Sequence, residues 1–306
     1  MIYSFAFFLL LFVLVGLASY RYSQPTTQDY LLAGRTIKPG LAGLSLFATE
    51  SSGFMFIGYI GITYIMGLSV IWIALGWYLG TSSIMWSMGR RLRHRNETVQ
   101  ADTYGALLSR WTGEDYKIIR VLSALITIVF LSVYAAAQLS AGGKALQAMM
   151  GIDIKISALI SVSMVLAYCL AGGIRASIWT DAVQSLAMFI ALVLIVAYGL
   201  NMVGGFEHLM LKLKEIDPNL TEVFAGAHKY GFLGFFAGWI FGGMGVLGQP
   251  HVMVRFMVLE KAQSAKKAVL YYALMVSALA VLCTIAGLCA RVVLPDLING
   301  DPELAL

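Results

Sequence analysis

Apolar runs and polar breaks alternate along the chain in a pattern that predicts eight membrane spans. The continuous apolar stretches cover residues 2–20, 41–66, 69–89, 118–142, 156–170, 182–203, 231–254 and 268–290. Most reach the roughly 20 residues that carry a helix across a bilayer core; 156–170 is shorter and needs its flanks to do so. Two connectors carry helical patterning of their own. Residues 98–117 contain a short amphipathic stretch ending at Trp111, and Phe206, Leu209, Met210, Leu213 and Ile216 recur at helical spacing. The expected class is an all-α polytopic membrane protein with a single membrane domain over 1–306.

Two of the eight runs are interrupted in the same way. The run 41–66 has Glu50, Ser51, Ser52 and Gly53 at its middle. The run 231–254 carries seven glycines from Gly231 to Gly248 and then Gln249 and Pro250. Opening a helix inside hydrocarbon frees carbonyls and amides that lipid cannot satisfy, so such breaks persist where they line a cavity or bind something. Broken helices at matching places in two repeats point to the binding site of a secondary transporter. The second span runs inward to outward and the seventh the other way, as an odd repeat of five demands. Residues 41–203 are then one five-helix repeat, and 231–306 part of a second, inverted one.

Composition agrees with a membrane protein. The chain is 59% hydrophobic and 12% charged, against about 25% charge in soluble proteins. With the amino terminus outside, 15 of the 21 Lys and Arg fall in inward-facing segments and six, Lys229 among them, in outward ones. This positive-inside bias predicts a multi-pass protein of the cell (inner) membrane. The cluster Arg90–Arg95 fits anchoring to an anionic leaflet, not nucleic-acid binding. Residues 2–20 lack a basic n-region and a small-residue cleavage site, so a retained helix is expected. Cys169, Cys283 and Cys289 fall inside apolar runs, where they read as small buried hydrophobes without metal or disulfide spacing.

The candidate chemistry gathers at the breaks. An ionisable group near the middle of a span is unfavourable by a few kcal/mol, so Glu50 reads as a group that draws in a cation or a cationic part of a solute. The structural alternative is a protonated acid bonded to Ser51 or Thr49 that holds the break open. The small residues Ala48, Thr49, Ser51, Ser52 and Gly53 either expose carbonyls and hydroxyls to Na+ or allow close helix packing. For Gly242, Gly243, Gly245 and Gly248 the same two readings stand, and Pro250 removes a backbone donor. Arg255 reads as a cytoplasmic anchor or gate. In the turn 172–181, Thr180 could cap the following helix and Asp181 suits its first turn.

Three stretches resemble a known family. Residues 29–35 (DYLLAGR) resemble the D-Y-x-x-G-G-R stretch of sodium:solute symporters. Residues 172–184, from Gly172 to Gln184, are similar to that family's G-G-x-x-A-x-x-W-T-D-x-x-Q motif. Gly248-Gln249-Pro250-His251 with Arg255-Phe256-Met257 looks like the G-Q-P-H-x-x-x-R-F-M stretch of its bacterial sodium/proline members. The resemblance implies a leucine-transporter-type inverted-repeat bundle preceded by an extra helix, residues 1–20. It also implies Na+ as coupling ion, a small organic solute as substrate, no organic cofactor and no enzymatic activity. Carried over by position, Ala48 and Ser51 would bind sodium, with Glu50 in the place of the proline transporters' essential aspartate. Ser52, Gly53, Trp239, Gly242 and Val246 would face the solute, and Arg35, Asp181, Pro250 and Arg255 would gate or brace. The chain departs from the pattern at Gly242 and Val246, where proline transporters carry Trp and Tyr. The family's Na+-coordinating Ser/Thr pair belongs to a ninth span, beyond the eight read here.

Proline is the favoured solute, with pantothenate or another small carboxylate next, and a non-transporting fragment is a further reading. A different class, an intramembrane serine protease, would use Ser45 of Gly43-Leu44-Ser45, with His251 as its only histidine near a span.

Overall fold

A computed structural model describes residues 2–225 and 231–299. Lys229 and the segment 300–306, which entered the charge bias and the second-repeat reading, lie outside the described residues. Twelve α-helices are present among the described residues. They are α1 (Ile2–Ser19), α2 (Thr27–Leu32), α3 (Pro39–Glu50), α4 (Tyr59–Met66), α5 (Ile71–Val99) and α6 (Tyr104–Ser109). There follow α7 (Lys117–Met150), α8 (Ile154–Val203), α9 (Phe206–Ile216), α10 (Gly231–Met244), α11 (Pro250–Met257) and α12 (Ala265–Val293). An isolated bridge joins Ile37 to Leu259.

Among the described residues, five helical stretches are long and apolar enough to cross a membrane: Phe54–Val99, Lys117–Lys144, Gly172–Val203, Gly231–Gly248 and Ala262–Val293. Phe7–Tyr22 is a shorter apolar helix. The first stretch holds more than one apolar run, because α4 and α5 meet in a 3-10 turn at Gly67–Val70 where Gly67 has φ 65°. Helix α8 likewise holds the runs 156–170 and 182–203. The expected turn over 172–181 contracts to one residue, Gly173, at φ 57° and ψ −145°. A Cβ there would also sit 2.3 Å from the Tyr30 carbonyl, so only glycine fits. The expected cap at Thr180 is absent: its hydroxyl donates back to the Ala176 and Ser177 carbonyls, one turn earlier in the same helix.

The chain forms two compact units. Unit one takes in residues up to Glu50, Ser83–Ser185 and Val246–Tyr272. In it α11 packs on α3, and α6 on α7 and α11. Gly43 lets α3 approach α12, where a Cβ would meet the Ala268 carbonyl at 2.8 Å. Thr26 caps α2 by accepting from the Asp29 amide at 3.1 Å, and Ala33 ends it in the left-handed region.

Unit two takes in Ser51–Ser82, Leu186–Gly245 and the chain from Ala273 onward. Its α9 coincides with the helix expected over 206–216, with Leu209 and Leu213 fully buried against Val203, Leu220, Leu288 and Cys289. Phe206 and Ile216 stay exposed. Helix α10 lies close on the first half of α5. A Cβ on Gly80 would meet the Ile240 carbonyl at 2.0 Å, and one on Gly243 the Trp77 carbonyl at 2.1 Å. Gly243 is therefore a packing glycine, the second of its two readings.

Candidate functional site

Both interrupted runs are opened helices. In the first, α3 stops at Glu50, Ser51 and Ser52 are non-helical, and a π-helical turn, Phe54–Gly58, precedes α4. The Phe54 amide bonds the Ser52 hydroxyl at 3.3 Å and the Met55 amide the Ser52 carbonyl at 3.0 Å. Ala48 falls in the last turn of α3, whose carbonyls lack intrahelical donors. Next to it, Ser51 is buried, and neither its hydroxyl nor that of Thr49 has a hydrogen-bond partner among the described residues. Unpaired oxygens are the ligand type that unwound transporter helices offer to Na+.

Glu50 is held from a direction the sequence did not reveal. The fully buried Tyr272 of α12 donates its phenol to Glu50 Oε2 at 2.6 Å, within unit one. Ser51 and Thr49, the expected partners, do not fill that place. A short bond from a buried donor to a carboxylate is among the stronger neutral-to-charged contacts, worth about 1.5–3 kcal/mol. Tyr272 follows another tyrosine in an apolar run, and no spacing marks it as polar-facing.

Unit one also joins the three sequence motifs. Arg175 donates to Asp29 Oδ1 at 2.6 Å, to the Ala33 carbonyl at 2.9 Å and to Thr36 Oγ1 at 3.2 Å. Both partners of that pair are buried, so the stretch 29–35 is tied to the stretch after Gly173. Asp181 sits past the first turn expected for it. Its Oδ2 accepts from Ser45 Oγ at 2.5 Å and from Arg255 Nη2 at 3.2 Å. Arg255 also bonds Ser45 Oγ through Nε at 3.2 Å, Ser177 Oγ at 3.2 Å and the His251 carbonyl. It is a buried partner of Asp181, not an interfacial anchor. Ser45 thus bonds a carboxylate and a guanidinium, where the protease reading would need an imidazole. Arg35 adopts φ 57° and reaches Gln100 Oε1 at 3.4 Å and the Asn96 carbonyl at 3.5 Å.

The second break lies a little beyond the densest glycines. Helix α10 runs through Gly242 and Gly243 to Met244, a 3-10 turn covers Gly245–Gly248, and extended Gln249 leads into α11 with Pro250 at its start. Val246 is buried. Within unit one, Tyr104 of α6 donates to the Leu247 carbonyl at 2.7 Å, so the amphipathic segment over 98–117 satisfies a carbonyl in the break. Burial pushes the Tyr104 phenol up to about 12, which keeps it a donor at any ordinary pH. In unit two, the Trp239 ring meets Trp77 edge-on at 6.3 Å. The Trp77 ring also lies in ordinary contact distance, 3.4 Å, of a Cβ built on Gly242.

The chain belongs to the sodium:solute symporter family, whose model matches residues 30–299. It is therefore a multi-pass membrane protein. It is 32% identical over 257 residues to the high-affinity proline transporter PutP of Bacillus subtilis, covering 84% of this chain and 53% of that one. It is 31% identical over 268 residues to the osmoregulated proline transporter OpuE of the same organism, covering 87% and 54%. A sodium/proline symporter of Escherichia coli is 29% identical over 266 residues, covering 86% and 52%. The chain spans about half the length of these relatives. Its fold matches a solved structure of a Na+-coupled sialic acid symporter in a substrate-bound outward-open state, with TM-score 0.82 and 21% identity. That match covers 95% of this chain and 60% of the other. The fold is thus the all-helical, leucine-transporter-type one.

Proposed function

We propose that the protein takes part in Na+-coupled symport of a small organic solute, with proline as the favoured substrate. The observation that carries this reading is the first break: the buried Ser51 hydroxyl has no hydrogen-bond partner among the described residues, and it follows Glu50, whose carboxylate is held by Tyr272. Ala48, through its carbonyl, and Ser51 are assigned to the sodium ion. Glu50, Ser52, Gly53, Trp239, Gly242 and Val246 are assigned to the solute, and Arg35, Asp181, Pro250 and Arg255 to gating or bracing. A carboxylate inside a span favours a solute that carries a cationic nitrogen, so an amino acid ranks above pantothenate or another simple carboxylate. The family and the proline-transporting relatives support the same choice.

The eight-span topology, its outward amino terminus and the five-helix repeat over 41–203 belong to this proposal. The positive-inside charge bias supports them. Proteoliposome uptake of labelled proline, driven by a Na+ gradient and compared with K+, tests the function. Na+-stimulated accumulation that falls at least tenfold in Glu50→Gln is expected. Uptake that ignores Na+, or a Glu50→Gln variant that keeps full Na+ stimulation, overturns the assignment.

A further inference from the structure

The basic cluster Arg90–Arg95 is divided by the helical face it lies on. Arg93 turns inward and is buried; its Nε donates to the Leu259 carbonyl at 2.6 Å and its Nη1 pairs with Glu97 at 3.2 Å. Arg95 bonds the Trp111 carbonyl at 2.7 Å. Arg90 and Arg91 point the other way, are exposed, and have no hydrogen-bond or ion-pair partner among the described residues. With Trp86, Ser87 and His94 they fall on one face of α5, as the i, i+4 spacing requires.

That face forms one wall of a cleft of ≈ 580 Å³, whose other wall is Ala262, Gln263 and Lys266 at the start of α12. None of the residues lining it is acidic. Lys266 stands in the first turn of α12, where the positive end of the helix disfavours a cation, and its ammonium lies 5.0 Å from the Trp86 ring centroid. Two guanidiniums, an ammonium and a helix start thus converge without a counter-charge. Each wall also turns apolar one helical turn deeper. Trp86, four residues before Arg90, is 49% exposed, and Leu270, four residues after Lys266, is 54% exposed. A cationic floor with apolar walls on both sides fits an amphiphile, not a free anion or a nucleic acid.

We propose that this cleft is a binding site for the headgroup of an anionic phospholipid, with the phosphate on Arg90, Arg91 and Lys266 and the upper acyl chain along Trp86 and Leu270. Basic pockets between membrane helices bind such headgroups. The proposal stands apart from the transport reading, since none of these residues was assigned to ion or solute.

Native mass spectrometry of the detergent-purified protein tests it, with titrations of cardiolipin, phosphatidylglycerol, phosphatidylcholine and inorganic phosphate. The wild type is expected to retain an anionic lipid that phosphatidylcholine does not replace. The triple variant Arg90→Gln/Arg91→Gln/Lys266→Gln should bind that lipid at least tenfold more weakly. A control, Arg21→Gln/Lys117→Gln/Lys261→Gln, removes equal charge elsewhere and should bind as the wild type does. Trp86→Ala should weaken the lipid but leave phosphate unaffected. If thermal melts show the triple variant unfolded, the single Arg91→Gln carries the test, with an expected loss of at least threefold. Undiminished adducts in the folded variants, equal binding of phosphatidylcholine, an equal loss in the charge control, or displacement of the lipid by millimolar phosphate would each overturn the proposal.

Discussion

The phenol of Tyr272 lies 2.6 Å from Glu50 Oε2 and gives the carboxylate a buried donor. The bond ties the end of α3, where the chain opens, to the first part of the apolar run in α12. It couples the orientation of the one mid-run carboxylate in the first break to a packed helix. Tyr272→Phe should lower thermal stability by about 1–3 kcal/mol, the range for a buried group left without its partner. Under the transport proposal, the half-saturating solute concentration should rise more than the maximal rate falls. A variant with wild-type melting and wild-type kinetics would show the bond to be incidental.

The buried pair of Asp29 and Arg175 holds two sequence motifs together. Removing one partner strands a buried charge, a loss of about 3–5 kcal/mol. Asp29→Ala should therefore melt at markedly lower temperature than the wild type, and Asp29→Ala/Arg175→Met should recover much of the loss. Thermal unfolding of the set in one detergent is the measurement; additive losses would contradict the coupling.

Gly243 and Gly238 both lie in α10, yet only the first faces backbone. A Cβ on Gly243 would meet the Trp77 carbonyl at 2.1 Å, whereas one on Gly238 meets nothing within 4 Å. Gly243→Ala must push α10 from α5, with an expected loss of about 1–3 kcal/mol, and Gly238→Ala should be neutral or slightly stabilising. Melting temperatures of the two single variants decide this, and equal effects would refute the packing role.

The loop before α7 should respond to acid. Arg120 donates to Asp115 and holds its carboxyl below the usual carboxylate range, with Arg110 adding at 3.4 Å. Because the folded pKa is depressed, the stabilisation is fully present above the unfolded value of about 4 and is lost as pH falls through the folded one. Asp115 is exposed, so the effect is local. Hydrogen exchange in residues 109–120 should quicken at low pH in the wild type, and Asp115→Asn should already exchange faster at neutral pH. A pH response unchanged in Asp115→Asn would assign it to another group.

The sequence alone determined the elements whose cause is local. Periodicity located the helix over 206–216, because its burial pattern repeats every turn. Small and polar residues located both breaks, because a span without such residues stays closed. The break in the second run was expected across Gly242, Gly243, Gly245 and Gly248, and it falls at Gly245–Gln249. Composition does not say which glycine opens a helix and which packs it; that depends on whether backbone lies opposite, as Trp77 does for Gly243. Partners distant in sequence were likewise hidden. Tyr272 beneath Glu50, Arg255 on Asp181 and Tyr104 at the Leu247 carbonyl have no spacing rule. Each is set by which helices pack together, and a side chain's charge and polarity cannot announce that in one dimension.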